Sequence, residues 1–176
     1  MIIRAATAAD SQAIRRVYQS AFPENEWEQV ANLAIDLLTQ SGAPETLSLV
    51  AERDKTIVGH VAFSPVTAVD LPTWTGTILA PLAVDPAHQK SGVGSALVNY
   101  GIQHHSDQGT DALFVYGDPA YYGRFGFTTD AATPFIPPHP LAFPFGWQGR
   151  PLAHGPSAQG PVPIRCVPPL DDPTLW

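Results

Sequence analysis

Apolar positions along the chain change their period several times, and each change marks an element. Met1 to Ala5 is a short apolar run of strand length. Thr7-Ala8-Ala9-Asp10 follows as a helix-entry signal in which either Thr7 or Asp10 caps, with Ile14, Val17 and Tyr18 then at helical spacing until Pro23. From Glu24 to Gln40, residues Trp27, Val30, Ala31, Ala34, Leu37 and Leu38 step by threes and fours, the mark of an amphipathic helix, which Ser41-Gly42-Ala43-Pro44 closes. Leu47 to Glu52 and Thr56 to Pro65 read as a hairpin turning on Arg53-Asp54-Lys55. After a Pro-containing loop, Trp74 to Val84 is a longer strand, so an antiparallel meander is predicted. Val93 to His105 is the next helix, with Val93, Ala96, Leu97, Tyr100 and Gly101 on one side. Asp111 to Tyr116 is a strongly apolar strand. Asp118-Pro119 then occupies the favoured cap and first positions of a short helix, Ala120 to Arg124, and Phe125-Gly126-Phe127 is expected to lead into another strand.

From Pro134 onward this patterning stops. Most of the chain's 19 prolines fall there, few charges do, and regular helix is improbable. A closing strand at Val162 to Val167 is the one element expected. Phe135, Phe143, Phe145 and Trp147 are interleaved with the prolines, so the segment is expected to pack on the body. The length of 176 residues fits one domain with a substantial core. We therefore expect a single domain, 1–176, with 134–176 as a Pro-rich extension packed on it.

Charge and cysteine content narrow the chemistry. The formal net charge of −7 argues against a nucleic-acid partner, and an anionic ligand must be held by local groups rather than by the overall field. The single Cys166 excludes an internal disulfide and a cysteine-based metal site, and no metal is expected. No apolar run approaches the ~20 residues of a membrane span and the N-terminus has no signal-peptide pattern, so a cytoplasmic protein without membrane contact is expected.

The chemistry concentrates between Thr77 and Ser95. An apolar strand, Ile78 to Val84, is stopped by Asp85-Pro86; a polar loop follows and closes on Gln89-Lys90-Ser91-Gly92-Val93-Gly94, where a helix begins at once. Two glycines before a helix let the backbone approach a ligand, with several amides unpaired at the positive end of the helix dipole. Such a nest suits a phosphate or pyrophosphate.

Three stretches together resemble the GNAT superfamily of N-acetyltransferases, over most of Met1 to Phe127. Ile2-Ile3-Arg4-Ala5-Ala6-Thr7-Ala8-Ala9-Asp10 looks like the family's opening. Leu82-Ala83-Val84-Asp85-Pro86-Ala87-His88-Gln89-Lys90-Ser91-Gly92-Val93-Gly94 is similar to its acyl-CoA loop, with the Gln-x-x-Gly-x-Gly core. Gly117-Asp118-Pro119-Ala120-Tyr121-Tyr122-Gly123-Arg124-Phe125-Gly126-Phe127 is similar to its Tyr-x-x-x-Gly-Phe ending, in the form found in the branch of acetyltransferases typified by YhbS.

The resemblance implies a GNAT acyl-CoA N-acyltransferase fold of α/β class, with a mixed, mostly antiparallel sheet of six or seven strands flanked by four helices. It implies acetyl-CoA as co-substrate, a primary amine as acceptor, and direct transfer in a ternary complex. Amides of about Lys90 to Ser95 (Lys90, Ser91, Gly92, Val93, Gly94, Ser95) would take the pyrophosphate. Leu82, Ala83 and Val84 would present a strand edge to the pantetheine arm, with the thioester between that strand and Asp111 to Tyr116. An N–H near Leu82 or Ala83 would polarise the thioester carbonyl. Tyr122 is implied as the proton donor to the departing thiolate, and its phenol, ordinarily protonated at pH 7, suits that role. The competing reading keeps Tyr122 as a core residue, with Tyr121 a lesser candidate for the acid. The family's usual Asn, seven residues before the Tyr, is Val115 here, and Asp118 is the candidate to replace its coenzyme contact.

Other residues carry plainer readings. Glu52 or His60 could reach the amine as a base, although both are ordinary strand positions and a water chain would serve. Gln89 and Lys90 could touch phosphate oxygens, but the amides suffice. His104-His105 suits a helix C-terminus and fits no metal motif. Trp27 and Trp74 read as core ahead of acceptor walls, and Cys166 has no histidine near it in sequence. A dinucleotide fold fails at Leu97, which stands where the third glycine of that fingerprint belongs. A non-catalytic acyl-CoA sensor is the more serious rival, since it would share loop and fold but need no acid. The acidic composition suits a cationic acceptor; the oligomeric state, monomer or homodimer, stays open.

Overall fold

The computed structural model describes residues 1–152 and 160–176, and residues 153–159 of the Pro-rich segment lie outside it. Among the described residues, eight strands and five α-helices occur in the order β1 (Ile2–Ala5), α1 (Ser11–Ala21), α2 (Trp27–Thr39), β2 (Leu47–Arg53), β3 (Thr56–Ala68), β4 (Gly76–Val84), α3 (Val93–Asp107), β5 (Ala112–Tyr116), α4 (Pro119–Tyr122), α5 (Thr129–Ala132), β6 (Phe135–Ile136), β7 (Trp147–Pro151) and β8 (Val162–Cys166). Pairing is mostly antiparallel, with β4–β5 and β6–β8 parallel. No helix among the described residues is long and apolar enough to cross a membrane.

The chain divides into two compact units, Met1–Phe63 with Ala80–Gly101, and Ser64–Leu79 with Ile102–Trp176. In the first, β1 and β2 pair antiparallel, as do β2 and β3, which forms the predicted hairpin. Its hairpin turns on Asp54 and Lys55, both at positive φ (51° and 62°), the handedness that a two-residue turn needs to match strand twist. Helices α1 and α2 bury the faces their spacing predicts: Ile14, Val17, Tyr18, Ala31 and Ala34 form one cluster with Val50 and Ala83. Arg4 ties the N-terminal strand to the helix entry through paired bonds to the Asp10 carboxylate (2.8 and 2.9 Å).

In the second unit β5 is the centre, parallel to β4 on one side and antiparallel to β7 on the other. Phe114 stacks on Trp147 (5.1 Å between centroids, 5° between planes) and meets Phe135 edge-on at 5.0 Å. Trp147 donates its indole N–H to the Phe135 carbonyl (3.1 Å), which fixes the aromatic layer.

Among its described residues the Pro-rich segment supplies three strands, where one was expected. Its strand prolines sit where a sheet tolerates them: Pro151 is the last residue of β7 and Pro163 lies near the start of the short β8. A second difference follows Phe127. Gly126 adopts a left-handed turn (φ 80°), Thr128 makes a single bridge to Gly149, and the chain then enters α5 rather than the expected strand. The Thr128 hydroxyl caps that helix by accepting from the Ala131 N–H (3.2 Å).

Candidate active site

β4 stops at Asp85, as the sequence indicates. Its N–H donates to the Val58 carbonyl of β3 (2.9 Å), and its carboxylate accepts from the Ala87 N–H (2.9 Å), which starts a tight turn over Pro86–His88. Lys90 (φ 57°) and Gly92 (φ 88°) then bend the backbone in the left-handed sense and launch α3. The first bond of that helix runs from the Ala96 N–H to the Gly92 carbonyl (2.9 Å), so the amides of Val93, Gly94 and Ser95 have no acceptor within it. Two polar side chains of the loop are turned inward: the Ser91 hydroxyl donates to the His88 carbonyl (2.6 Å) and the Gln89 amide to the Val84 carbonyl (3.1 Å). Lys90, Ser91 and Gly92 are exposed. A 15-residue helix adds its positive pole there. This set of donors fits a diphosphate.

The start of α3 is held by close packing. A Cβ on Gly59 of β3 would come within 2.9 Å of Val93, 3.1 Å of Leu97 and 3.3 Å of the Ala83 carbonyl, so glycine there lets helix and strand approach. Ala83 is buried, while Leu82 and Val84 are partly exposed on the end of β4. The β4–β5 ladder covers Gly76–Leu79 opposite Ala112–Val115, and Ala80 to Val84 continue beyond it.

Tyr122 ends α4, which Asp118 caps by accepting from the Ala120 N–H (2.9 Å) with Pro119 in first place. Its ring packs against Gly117, where a Cβ would fall 2.5 Å from Cε2, and lies edge-on to Tyr121 at 5.0 Å and Phe127 at 6.1 Å. Burial, then the neighbouring Tyr121 and Asp118, push its phenol well above the ordinary tyrosine range, so it stays protonated through neutral and mildly alkaline pH. Its hydroxyl makes no hydrogen bond among the described residues. Tyr121 is instead covered by the Arg124 guanidinium, 4.5 Å above its ring. Asp118 lines a cavity at the end of β5 as well as capping α4.

Of the two strand residues weighed as a base, His60 is sequestered and Glu52 is held in an ion pair. His60 is fully enclosed, with Nδ1 2.8 Å from the Tyr18 hydroxyl and Nε2 2.8 Å from the Ser48 hydroxyl. Burial lowers its pKa to about 3, which leaves it neutral and internal. Glu52 accepts from Arg4 Nε at 3.1 Å. Trp74 is likewise core, stacked on Phe135 at 5.0 Å. Burial and the nearby Asp171 push the Cys166 thiol up to about 12, the opposite of an activated nucleophile. No three His, Cys, Asp or Glu side chains among the described residues gather as metal ligands.

The family model described as "Acetyltransferase (GNAT) family" matches residues 11–127, which spans the helix pair, the hairpin, the glycine loop and α4. The chain belongs to the GNAT acetyltransferase family. It is 37% identical over 137 residues to the uncharacterized N-acetyltransferase YjhQ of Escherichia coli (strain K12), covering 76% of this chain and 73% of that one. The crystal structure of the GNAT family N-acetyltransferase YhbS from Escherichia coli, in complex with CoA, superposes with a TM-score of 0.79 at 30% identity, over 93% of this chain and 89% of that chain. A GNAT family acetyltransferase from Brucella melitensis, in complex with acetyl-CoA, gives a TM-score of 0.63 at 32% identity over 92% and 93%. The GNAT fold and the mixed, mostly antiparallel sheet expected from the sequence are thus established.

Sequence reasoning missed the residues that shape the end of β5. Gln148 of β7 is buried and donates to the carbonyls of Gly117 (3.1 Å) and Gly146 (3.3 Å), while the Gly117 N–H donates to Gly146 (2.9 Å). These bonds hold the turn on which Tyr122 rests. The only signal for them was the run of aromatic residues among the prolines.

Proposed function

We propose that the protein transfers the acetyl group of acetyl-CoA to a primary amine, directly and within a ternary complex. The observation that carries this reading is the amide set at Val93, Gly94 and Ser95, opened by the left-handed turn at Gly92. Together with Lys90 and Ser91 main chain it would hold the diphosphate, and Leu82, Ala83 and Val84 would take the pantetheine amides along the strand edge. Gln89 acts from behind, by pinning the loop to Val84. Acetyl-CoA, when bound, supplies an activated acyl carbon and a thiol leaving group. The chain's part is to bind and orient it, to offer a β4 N–H near Leu82 or Ala83 to the developing oxyanion, and to pass the Tyr122 phenolic proton to the sulfur. As the C–N bond forms and the C–S bond breaks, the proton lost by the amine goes to water, and water returns one to the Tyr122 phenolate, so that no protein base is required.

The test is release of free thiol from acetyl-CoA over a panel of amines, for the wild type and Tyr122→Phe. Amine-dependent release that the substitution abolishes supports the reading. Thermal stabilisation by acetyl-CoA with no turnover on any amine contradicts it and marks a binding module instead.

A further inference from the structure

We propose that the cavity at the end of β5 is the acceptor pocket and that it takes a small primary amine carried on an aromatic or similar hydrocarbon body. This inference rests on the acetyltransferase reading and adds the substrate class to it. The cavity measures about 640 Å³, the size of a small-molecule site rather than of a groove for a polypeptide. Four rings line it: Tyr116, Phe143, Phe145 and Trp176. Phe143 and Phe145 are 61% and 63% exposed, a costly arrangement for two neighbouring phenylalanines unless a ligand covers them.

Tyr116 and Trp176, two of the four rings, are fixed in place. Tyr116 stacks on Trp176 (6.0 Å, 11° between planes), and its hydroxyl accepts from the Phe143 N–H at 2.8 Å. The Trp176 indole N–H donates to the Leu170 carbonyl (3.0 Å), and His139 pairs with Asp171 at 2.8 Å across the same segment. A pocket ordered before binding spends little of its affinity on ordering itself. One acidic side chain, Asp118, stands in the lining, so an arriving ammonium meets a carboxylate and aromatic faces together. Gly117 lines the cavity and also packs against the Tyr122 ring, so one residue borders both. Hydrocarbon on the rings and nitrogen toward Asp118 is the orientation this lining favours. A polyamine would leave its further charges against apolar rings.

The experiment compares kcat/KM for 2-phenylethylamine, ethylamine and spermidine at saturating acetyl-CoA, for the wild type, Phe145→Ala and Asp118→Asn. Calorimetric titration of each protein with N,N-dimethyl-2-phenylethylamine, which has no N–H to acetylate, is run alongside. The wild type should prefer 2-phenylethylamine by about tenfold or more over both other amines. Phe145→Ala removes an exposed ring, so the fold stays intact; it should cut that preference about fivefold, through KM, and weaken the tertiary amine by a similar factor. Asp118→Asn keeps a capping side chain and should raise KM for all three amines. If ethylamine or spermidine is preferred, or if Phe145→Ala changes neither the preference nor the titration, the pocket assignment is overturned while acetyl-CoA turnover stands. If the tertiary amine binds as described but no amine is acetylated, the pocket stands as a binding site and the acetyltransferase reading fails.

Discussion

Replacing His60 by Gln tests the assignment of that residue to the core, and the expected effect can be worked from its surroundings. Each ring nitrogen lies 2.8 Å from a hydroxyl, Tyr18 on one side and Ser48 on the other. A neutral imidazole has one N–H and one lone pair, so one hydroxyl donates to the ring and the other accepts from it. Protonation would turn both nitrogens into donors and enclose a charge, and burial accordingly lowers the folded-state pKa from 6.5 to about 3. In the unfolded chain the imidazole titrates near 6.5, so between about pH 6.5 and pH 3 unfolding takes up a proton. Stability from this group is complete above the unfolded pKa and is lost as pH falls, by about 1.4 kcal/mol per unit, or roughly 2 kcal/mol between pH 7 and pH 5. Gln keeps a donor and an acceptor but does not titrate. At pH 7 the variant should be less stable by about 1–2 kcal/mol through poorer hydrogen bonds, and that gap should close by roughly 2 kcal/mol at pH 5. His105, also lowered, to about 4, by burial and then by His104, is present in both proteins and cancels. Urea unfolding of the two proteins from pH 4.5 to 7.5 reads the difference directly. A penalty that is the same at pH 5 and pH 7 refutes the argument, and a variant with normal stability but no turnover would restore His60 as a base.

Four further outcomes follow from the same geometry. Tyr122→Phe should lower kcat by about 10²–10⁴ with the KM for acetyl-CoA unchanged. Because burial raises the phenol, the wild-type rate should also show no decline between pH 8 and pH 9.5 from ionisation of this group, and a decline that Tyr122→Phe removes would contradict that. Gly92→Ala places a side chain at φ 88°, where nothing crowds it but the backbone is strained; it should cost about 1–2 kcal/mol of stability and weaken acetyl-CoA binding, as read by thermal melts with and without ligand. Gly59→Ala drives a methyl toward Val93 and the Ala83 carbonyl and should destabilise by about 1–3 kcal/mol in chemical denaturation; unchanged stability would mean that the contact is not tight.

The loop and α3 were legible because their determinants are local. An apolar run, an Asp-Pro stop and a glycine pair lie within a dozen residues, and each acts on its own backbone. The short helix bearing Tyr122 was readable for the same reason, through the Asp118-Pro119 cap. β7 was not, because Trp147, Gln148 and Gly149 are all buried and show no alternation; the strand exists because β5 offers it a partner far away in sequence. Nor could sequence separate a buried His60 from a catalytic one, since the hydroxyls that enclose it come from α1 and β2. Trp74 and the rings that line the cavity at the end of β5 belong to the same class: residue type was visible, the neighbours were not.

The central claim is that main-chain donors at the start of α3 grip the coenzyme diphosphate while the Tyr122 phenol reaches its sulfur. A crystal structure of this protein with CoA tests it most directly. The account predicts diphosphate oxygens within hydrogen-bond distance of the Gly92 to Ser95 amides and the thiol facing the Tyr122 hydroxyl. A diphosphate bound away from those amides, or a thiol beyond reach of that phenol, would contradict it.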